Sequence, residues 1–589
     1  MEKEVEFESE DNTNIKNEEN NISNEINEDN NKIINISKKN NIIFHIIAVI
    51  CIAMYCIALA PKVLQNDTFY TLKIGEYIYN NGVFNLTEDL YSWHELPYTY
   101  PHWLYDLGMF IIYNIGGQKG VYISTMVFSA ILGISIYILS NKKSKNSVIS
   151  FIVTICAMYL IRNFIAARAQ LVTFILFIWT VYFIEKFLET TKIKYEIILL
   201  IIPLLIANLH CAVFPFYFIL FLPYIGEYFL LAVEDLVLDL KIFSLVLKIR
   251  KKLSKKEETI QKIENKLIKI EQAIPKRKEK IKEIRNKPYR IKSVKNHAVL
   301  LLISVMLIAS LTGLVNPAGN GAYTYLYKTI KGNTTDSINE HLPLTLIENK
   351  EFAVVLIVFL MILVFTDTKI KLHDLFMFGG ITFLAFNSRR QVSMFAIFCM
   401  PILANLVSDM VEKYDKETFI KIEKFFSEWF GAIIIICCFI ILSTNVIKPH
   451  IRDEYIDTSS YPVEASDWIL ANLDVSKIRL YNEYNYGSYL LFRGIPVFID
   501  SRCDLYSPEF NEDIVNGIDG RDIFSDALNI AGLGVNYKTK FEEYGVTHII
   551  LYENSKLAMI LKSDSDYKLL YSKGNFVIFE RLITNEESW

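Results

Sequence analysis

Charge is scarce in this sequence. Of its 589 residues only 21% are Asp, Glu, Lys or Arg against 52% apolar ones, and the mean hydropathy is +0.27. Soluble domains carry more charge, so a single water-soluble globule is excluded. Pairable cysteine is also missing. Only Cys503 of the eight cysteines lies in the polar C-terminal third, so that third has no internal disulfide, and no CxxC or Cys/His cluster suggests structural zinc. Nor does the chain open on a cleavable leader: the first apolar run, Ile42–Ala60, starts far from residue 1, lacks a small-residue cleavage site and follows Lys38 and Lys39. That run reads as a retained span with the N-terminus inside.

What is present is a series of apolar blocks. After 42–60 they cover about 103–117, 119–140, 147–161, 168–187, 195–209, 212–232, 296–315, 350–366, 371–387, 390–408 and 429–446. Each is near the length needed to cross about 30 Å of hydrocarbon. Twelve true crossings would return the C-terminus to the cytoplasm, so one block is expected not to cross. The candidate is 103–117, which is short and carries Asp106, as a re-entrant or interfacial segment. Lys142, Lys143 and Lys145, then Lys186, Lys192 and Lys194, then fall inside, as the positive-inside rule prefers.

The expected architecture is a polytopic α-helical membrane protein of eleven or twelve spans with a C-terminal soluble α/β domain. Residues 1–40, Asn- and Glu-rich with five Lys against eleven acids, read as a disordered cytoplasmic tail. Residues 41–240 form a first membrane module with a long external loop, 61–102, and residues 296–446 form a second. Between them, 241–295 carries twenty Lys and Arg against six Glu with apolar residues at helical spacing, interrupted at Pro275. This segment reads as a basic cytoplasmic helical hairpin beside anionic lipid, not as a nucleic-acid site. From 459 to 589 a helix opened by Pro462 and β-type runs at Ile478–Tyr481, Pro496–Asp500, His548–Tyr552 and around Ser572–Asn575 form an extracytoplasmic α/β domain.

Loop 61–102 is long for a membrane connection and dense in functional residue types, among them Asp67, Asp89, His94 and His102. Taken alone, Asp67 is a good N-cap for a short helix along the membrane surface. Its company favours a second role. Arg162, Arg168, Gln170, Asn208, His210, Asn316, Glu340, His341, Arg389 and Arg390 all stand at span ends on the same expected side. External arginines run against the positive-inside preference. Singly they read as side chains reaching lipid phosphate; as a set they suit an anionic headgroup, because a guanidinium offers phosphate a planar fork of donors. His94, His102 and Asp89 offer donors to a divalent metal, at irregular spacing that matches no metal motif.

The stretch Asp67-Thr-Phe-Tyr-Thr-Leu-Lys-Ile-Gly-Glu, then Glu88-Asp89, His94 and Pro101-His-Trp, resembles the first external loop of GT-C-type integral membrane glycosyltransferases. Ala167-Arg-Ala-Gln, Asn208-Leu-His210, Asn316-Pro-Ala-Gly319, Asn339-Glu340, Ser388-Arg-Arg-Gln391, Tyr484-Asn-Tyr-Gly and Phe498-Ile-Asp-Ser-Arg-Cys-Asp504 are similar to motifs of one bacterial branch. Their order along roughly 42–581, without the basic segment, is the specific part. The resemblance implies transfer of a sugar from a polyprenyl-phosphate-linked donor, on the outer face of the cell membrane, to an envelope glycan, lipid or protein acceptor. It makes Asp67 the base, with Asp89, His94, His102, Arg168, Gln170, Asn208, His210, Asn316, Glu340, Arg389 and Arg390 as substrate-binding candidates. Two readings from other classes stand beside it: a transporter or flippase for a lipid-linked substrate, which mid-span charges and inverted repeats would favour, and a non-catalytic membrane scaffold.

Overall fold

Inside a bilayer every backbone N–H and C=O needs a partner in its own segment, so the apolar blocks fold as helices. The computed structural model describes residues 41–254, 257–286, 291–332, 338–451, 453–511 and 522–582, and the tail expected over 1–40 lies outside them. Six helices are long and apolar enough to cross a membrane: Asn41–Leu59, Trp103–Ser144, Ala169–Thr190, Cys211–Leu236, Arg389–Tyr414 and Trp429–His450. Five shorter apolar helices lie among them, Ser147–Leu160, Ile193–Leu209, Ala298–Leu311, Lys350–Phe365 and Leu372–Asn387.

The 42-residue helix is too long for one crossing, since about 20 residues suffice. It breaks at Gly117, whose φ of 58° and ψ of −153° are open to glycine and strained for other residues. The part before the break is the block expected not to cross. It packs against helix Asn66–Asn81, so closely that a Cβ on Gly75 would stand 2.2 Å from the Asp106 carbonyl oxygen. The part after it joins the bundle core, where Gly133 faces Cys56 and Ile52 of the first helix.

The bundle has two polar ends. At one, Lys142 and Lys143 both pair with Glu185, and Lys143 also reaches Asp374 at 2.7 Å. The basic segment leaves from this end as helices Leu238–Leu253 and Glu257–Asn286, which bury Leu247, Ile263, Leu267 and Ile270 between them. The sequence places the break of this hairpin at Pro275. Instead the chain turns after Leu253, and Pro275 sits inside the second helix. Losing one backbone bond at Pro275 is tolerated where the Leu and Ile contacts hold the helix to its partner.

At the other end sits the C-terminal domain. Its sheet runs in the order Leu480–Tyr481, His548–Tyr552, Phe576–Arg581, Tyr567–Lys573, with the first pair parallel and the others antiparallel. Pro496–Asp500, read from the sequence as a β-type run, is not a strand of this sheet; a parallel bridge at Val497 ties it to Ser92 of loop 61–102. Trp93 Nε1 donates to the Leu480 carbonyl at 3.1 Å, fixing the loop to the same domain. Helix Asn66–Asn81, expected to lie along lipid, is covered by protein: the Phe69 ring meets Tyr461, Tyr489 and Phe492 at 4.9, 5.1 and 5.6 Å.

Candidate active site

Between the C-terminal domain and this end of the bundle lies a cavity of about 680 Å³. Its walls come from well-separated parts of the chain. Helix Asn66–Asn81 begins one residue before Asp67, with Gln65 as its N-cap, so Asp67 sits in the first turn and does not cap the helix. That turn points Asp67 and Tyr70 at the cavity. Arg168 is the extended residue that precedes helix Ala169–Thr190, and Gln170 lies in that helix's first turn. Arg390 comes from the 3₁₀ turn Arg389–Gln391, whose backbone N–H donates to the Glu340 carbonyl at 2.9 Å and so brings Glu340 and His341 to the same wall. The C-terminal domain adds Glu483, Tyr484, Arg502 and Asp504.

Asp67 Oδ2 and Arg168 Nε stand 3.0 Å apart as an ion pair, and Arg168 Nη1 donates to Glu340 Oε1 at 3.4 Å. The Arg168 Nε–H has no aligned acceptor among the described residues. No ion pair among those residues involves the Arg390 guanidinium, which faces the cavity. The two cations differ accordingly: one is shared by two acids, the other is available to an anion.

His102 forms the centre of a buried relay. Its Nδ1 lies 2.7 Å from Asp106 Oδ1, and its Nε2 lies 2.9 Å from Tyr70 Oη. Burial works against the imidazolium, and the Asp106 carboxylate outweighs it, so His102 titrates above the usual histidine range. When protonated, His102 donates from both ring nitrogens, to Asp106 and to Tyr70, and the Tyr70 hydroxyl oxygen then accepts. His210 is the opposite case: burial, then the charges of His102 and Arg390, push it well below the usual range, and Thr173 Oγ1 holds its Nδ1 at 3.0 Å. It is a neutral ring at neutral pH.

Of the residues singled out in the sequence, Asp67, His102, Arg168, Gln170, His210, Glu340 and Arg390 line this cavity. The others have different places. Asp89 is buried, accepting from Arg502 Nη1 at 2.7 Å and from the Ser92 N–H at 2.8 Å. His94 Nε2 lies 2.8 Å from the Phe498 carbonyl within the C-terminal domain. Asn208 accepts from Trp103 Nε1 at 3.0 Å and donates to the Val315 carbonyl at 2.8 Å. Asn316 closes its own turn through the Ala318 N–H and the Gly313 and Gly319 carbonyls. Arg389 points away from its neighbour, to Glu348 at 2.9 Å and the Pro343 carbonyl. His94, His102 and Asp89 therefore do not meet around one point, and this set does not fit a divalent metal.

The sequence reading passed over Tyr70, Glu483 and Tyr484 as site residues. The signal for Tyr70 is its spacing: it lies three residues after Asp67 and so shares its helix face. Glu483 has no local signal; it belongs to a domain that meets the cavity only in the folded chain. There burial raises its carboxyl to about 7.

No protein-family model matches the chain, and no curated protein matches it significantly by sequence. Among solved structures it is similar to the apo oligosaccharyltransferase of Archaeoglobus fulgidus, with 10% identity, 86% of this chain and 69% of that chain covered, and a TM-score of 0.50. The same archaeal enzyme with an inhibitory peptide and a dolichol-phosphate gives 11% identity, coverage of 90% and 74%, and a TM-score of 0.48. With a tethered acceptor peptide it gives 12%, 90% and 73%, and 0.46. The first of these establishes the fold alone: a polytopic helical membrane protein with a C-terminal α/β domain, arranged as in that archaeal oligosaccharyltransferase.

Proposed function

We propose that the protein is a membrane glycosyltransferase that moves a sugar from a polyprenyl-phosphate-linked donor to an acceptor on the outer face of the cell membrane. One observation carries this reading: the Asp67 carboxylate and the Arg168 and Arg390 guanidinium groups, from three separate elements, line one cavity at the membrane end of the C-terminal domain. Transfer needs a base for the acceptor proton and cations for the departing phosphate. In this scheme the acceptor oxygen or nitrogen bonds to the anomeric carbon, its proton passes to Asp67, and the bond from that carbon to the phosphate oxygen breaks. The lipid phosphate leaves with its charge held by Arg390 and Arg168. Engagement of Arg168 by phosphate loosens its pair with Asp67, which frees the carboxylate for the acceptor. Gln170, His210, Glu340 and the Tyr70 hydroxyl are placed to bind sugar and acceptor hydroxyls.

The proposed sidedness puts loop 61–102 and residues 459–589 outside and the basic hairpin in the cytoplasm, with eleven passes from the N-terminus to the C-terminal domain, ten of them after the loop. Charge placement supports it, since the hairpin is the most basic segment of the chain. Labelling from outside intact cells of a cysteine placed at 265 would overturn this orientation. The activity is tested in proteoliposomes with a panel of labelled polyprenyl-phosphate and polyprenyl-diphosphate sugars. The expected result is release of the lipid phosphate together with a glycosylated acceptor, lost in Asp67→Asn. If no donor binds or turns over, the scaffold reading replaces this one.

A further inference from the structure

The basic hairpin is the largest feature that the transfer chemistry leaves unused. Its first helix, Leu238–Leu253, carries Ile242, Phe243, Leu245, Val246, Ile249 and Leu253, each more than half exposed. At 100° per residue all but Phe243 fall within one stripe about 100° wide, and Phe243 lies about 60° outside it, beyond Arg250. The hairpin's own core uses the other face, through Leu240 and Leu247. Lys241, Lys248 and Lys252 flank the stripe on one side and Arg250 on the other. So much exposed apolar surface on a helix implies a further contact.

Position says what that contact is. Only Val237 separates this helix from the span Cys211–Leu236, whose Phe229, Leu230, Val233 and Leu236 are also exposed on the bundle surface. The apolar stripe thus continues the lipid-facing surface of a membrane helix, at the end where the chain is most basic. Where the hairpin meets the span there is also a cleft of about 990 Å³, walled by Leu230, Val233, Ile281 and Ile284. Arg277 and Lys280 line it, as do Glu234 and Asp239, and neither cation has an ion-pair partner among the described residues.

We propose that the hairpin is an anionic-phospholipid site. Helix Leu238–Leu253 lies in the plane of the membrane with its apolar stripe among the acyl chains, and the cleft takes one anionic phospholipid, its chains along Leu230 and Val233 and its phosphate at Arg277 and Lys280. Amphipathic helices flanked by cations bind bilayers in this way. The assignment rests on the membrane-spanning fold and is independent of the proposed transfer activity.

The test uses the full chain in nanodiscs of phosphatidylcholine, with or without phosphatidylglycerol. A fluorescent amino acid is introduced at 246, 249 or 265 by stop-codon suppression. Probes at 246 and 249 are expected to emit as in a dry environment and to be quenched by chain-labelled lipids, while the probe at 265, on the far face of the second helix, stays wet. Native mass spectrometry should show preferential retention of phosphatidylglycerol over phosphatidylcholine. That preference should fall about fivefold for each charge removed in Arg277→Gln and Lys280→Gln. Equal solvent exposure at 246 and 265 overturns the in-plane helix. Quenching that needs two protein copies per disc assigns the stripe to a second copy instead, and an unchanged lipid preference in the double variant overturns the cleft.

Discussion

Asp67 and Arg168 form an ion pair at 3.0 Å across the cavity wall, joining the first turn of one helix to the residue that precedes a membrane span. Neither side chain caps a helix through a hydrogen bond. The acid is therefore free of the structural duty that its place in the sequence suggests, and the pair couples an anion-binding group directly to a carboxylate.

Asp67→Asn is expected to remove transfer, by a factor on the order of 10² or more for loss of a general base. Thermal stability should change by about 1 kcal/mol at most, because the amide still fills the space and the lost ion pair is partly exposed. Turnover and melting temperature, measured on the same reconstituted sample, check both halves. Retained turnover would remove Asp67 from the mechanism.

The neighbouring arginines should behave differently. Arg390→Lys keeps the charge but loses the fork of donors, so donor-lipid affinity should weaken by about 1–3 kcal/mol. Arg389→Lys should leave it unchanged, since Arg389 engages Glu348 and the Pro343 carbonyl outside the cavity. Binding of the polyprenyl-phosphate lipid to the two variants decides the matter, and equal losses would contradict the assignment.

Asp89 and Arg502 test the seam between loop and domain. Asp89→Asn should destabilise the protein by about 1–3 kcal/mol, because it weakens a charge-assisted hydrogen bond to the buried Arg502, which keeps Asp500 as its counter-charge. Substrate affinity in the molecules that remain folded should be near that of the unaltered protein. A variant with normal stability and impaired substrate binding would instead make Asp89 a binding residue.

Glu483 gives a signed pH dependence. Its carboxyl is raised from 4.5 to about 7 in the folded protein, so the folded state holds its proton more tightly than the unfolded chain. Its contribution is fully present below 4.5 and is lost as pH rises through 7, by about 3 kcal/mol in all. Glu483→Gln should therefore be close to neutral at pH 4.5 and more stable than the unaltered protein at pH 8. Melting curves of both proteins across that range measure the difference, and a constant offset would rule the proton effect out.

The sequence by itself determined which segments are helical membrane elements and which end of the bundle collects the polar residues. Both follow from local quantities: the length of an apolar block against the thickness of a bilayer, and the kinds of side chain at its ends. It also grouped Asp67, Arg168, Gln170, His210, Glu340 and Arg390 as polar residues at the ends of blocks or in the loops between them, on the same expected side, and all six line the cavity.

Only the tertiary structure decided which of those side chains share a cavity. Arg389 and Arg390 are adjacent and chemically identical, yet the 3₁₀ turn that carries them rotates successive side chains by about 120°, so one faces the cavity and the other Glu348. Asp89 looks like a loop acid ready for substrate until Arg502, 413 residues further along, closes on it. Glu483 becomes a cavity acid, its carboxyl raised to about 7 by burial, only when its domain docks on loop 61–102. Helix formation and lipid matching depend on near neighbours in the chain, whereas side-chain direction, burial and charge pairing depend on groups that folding alone brings within reach.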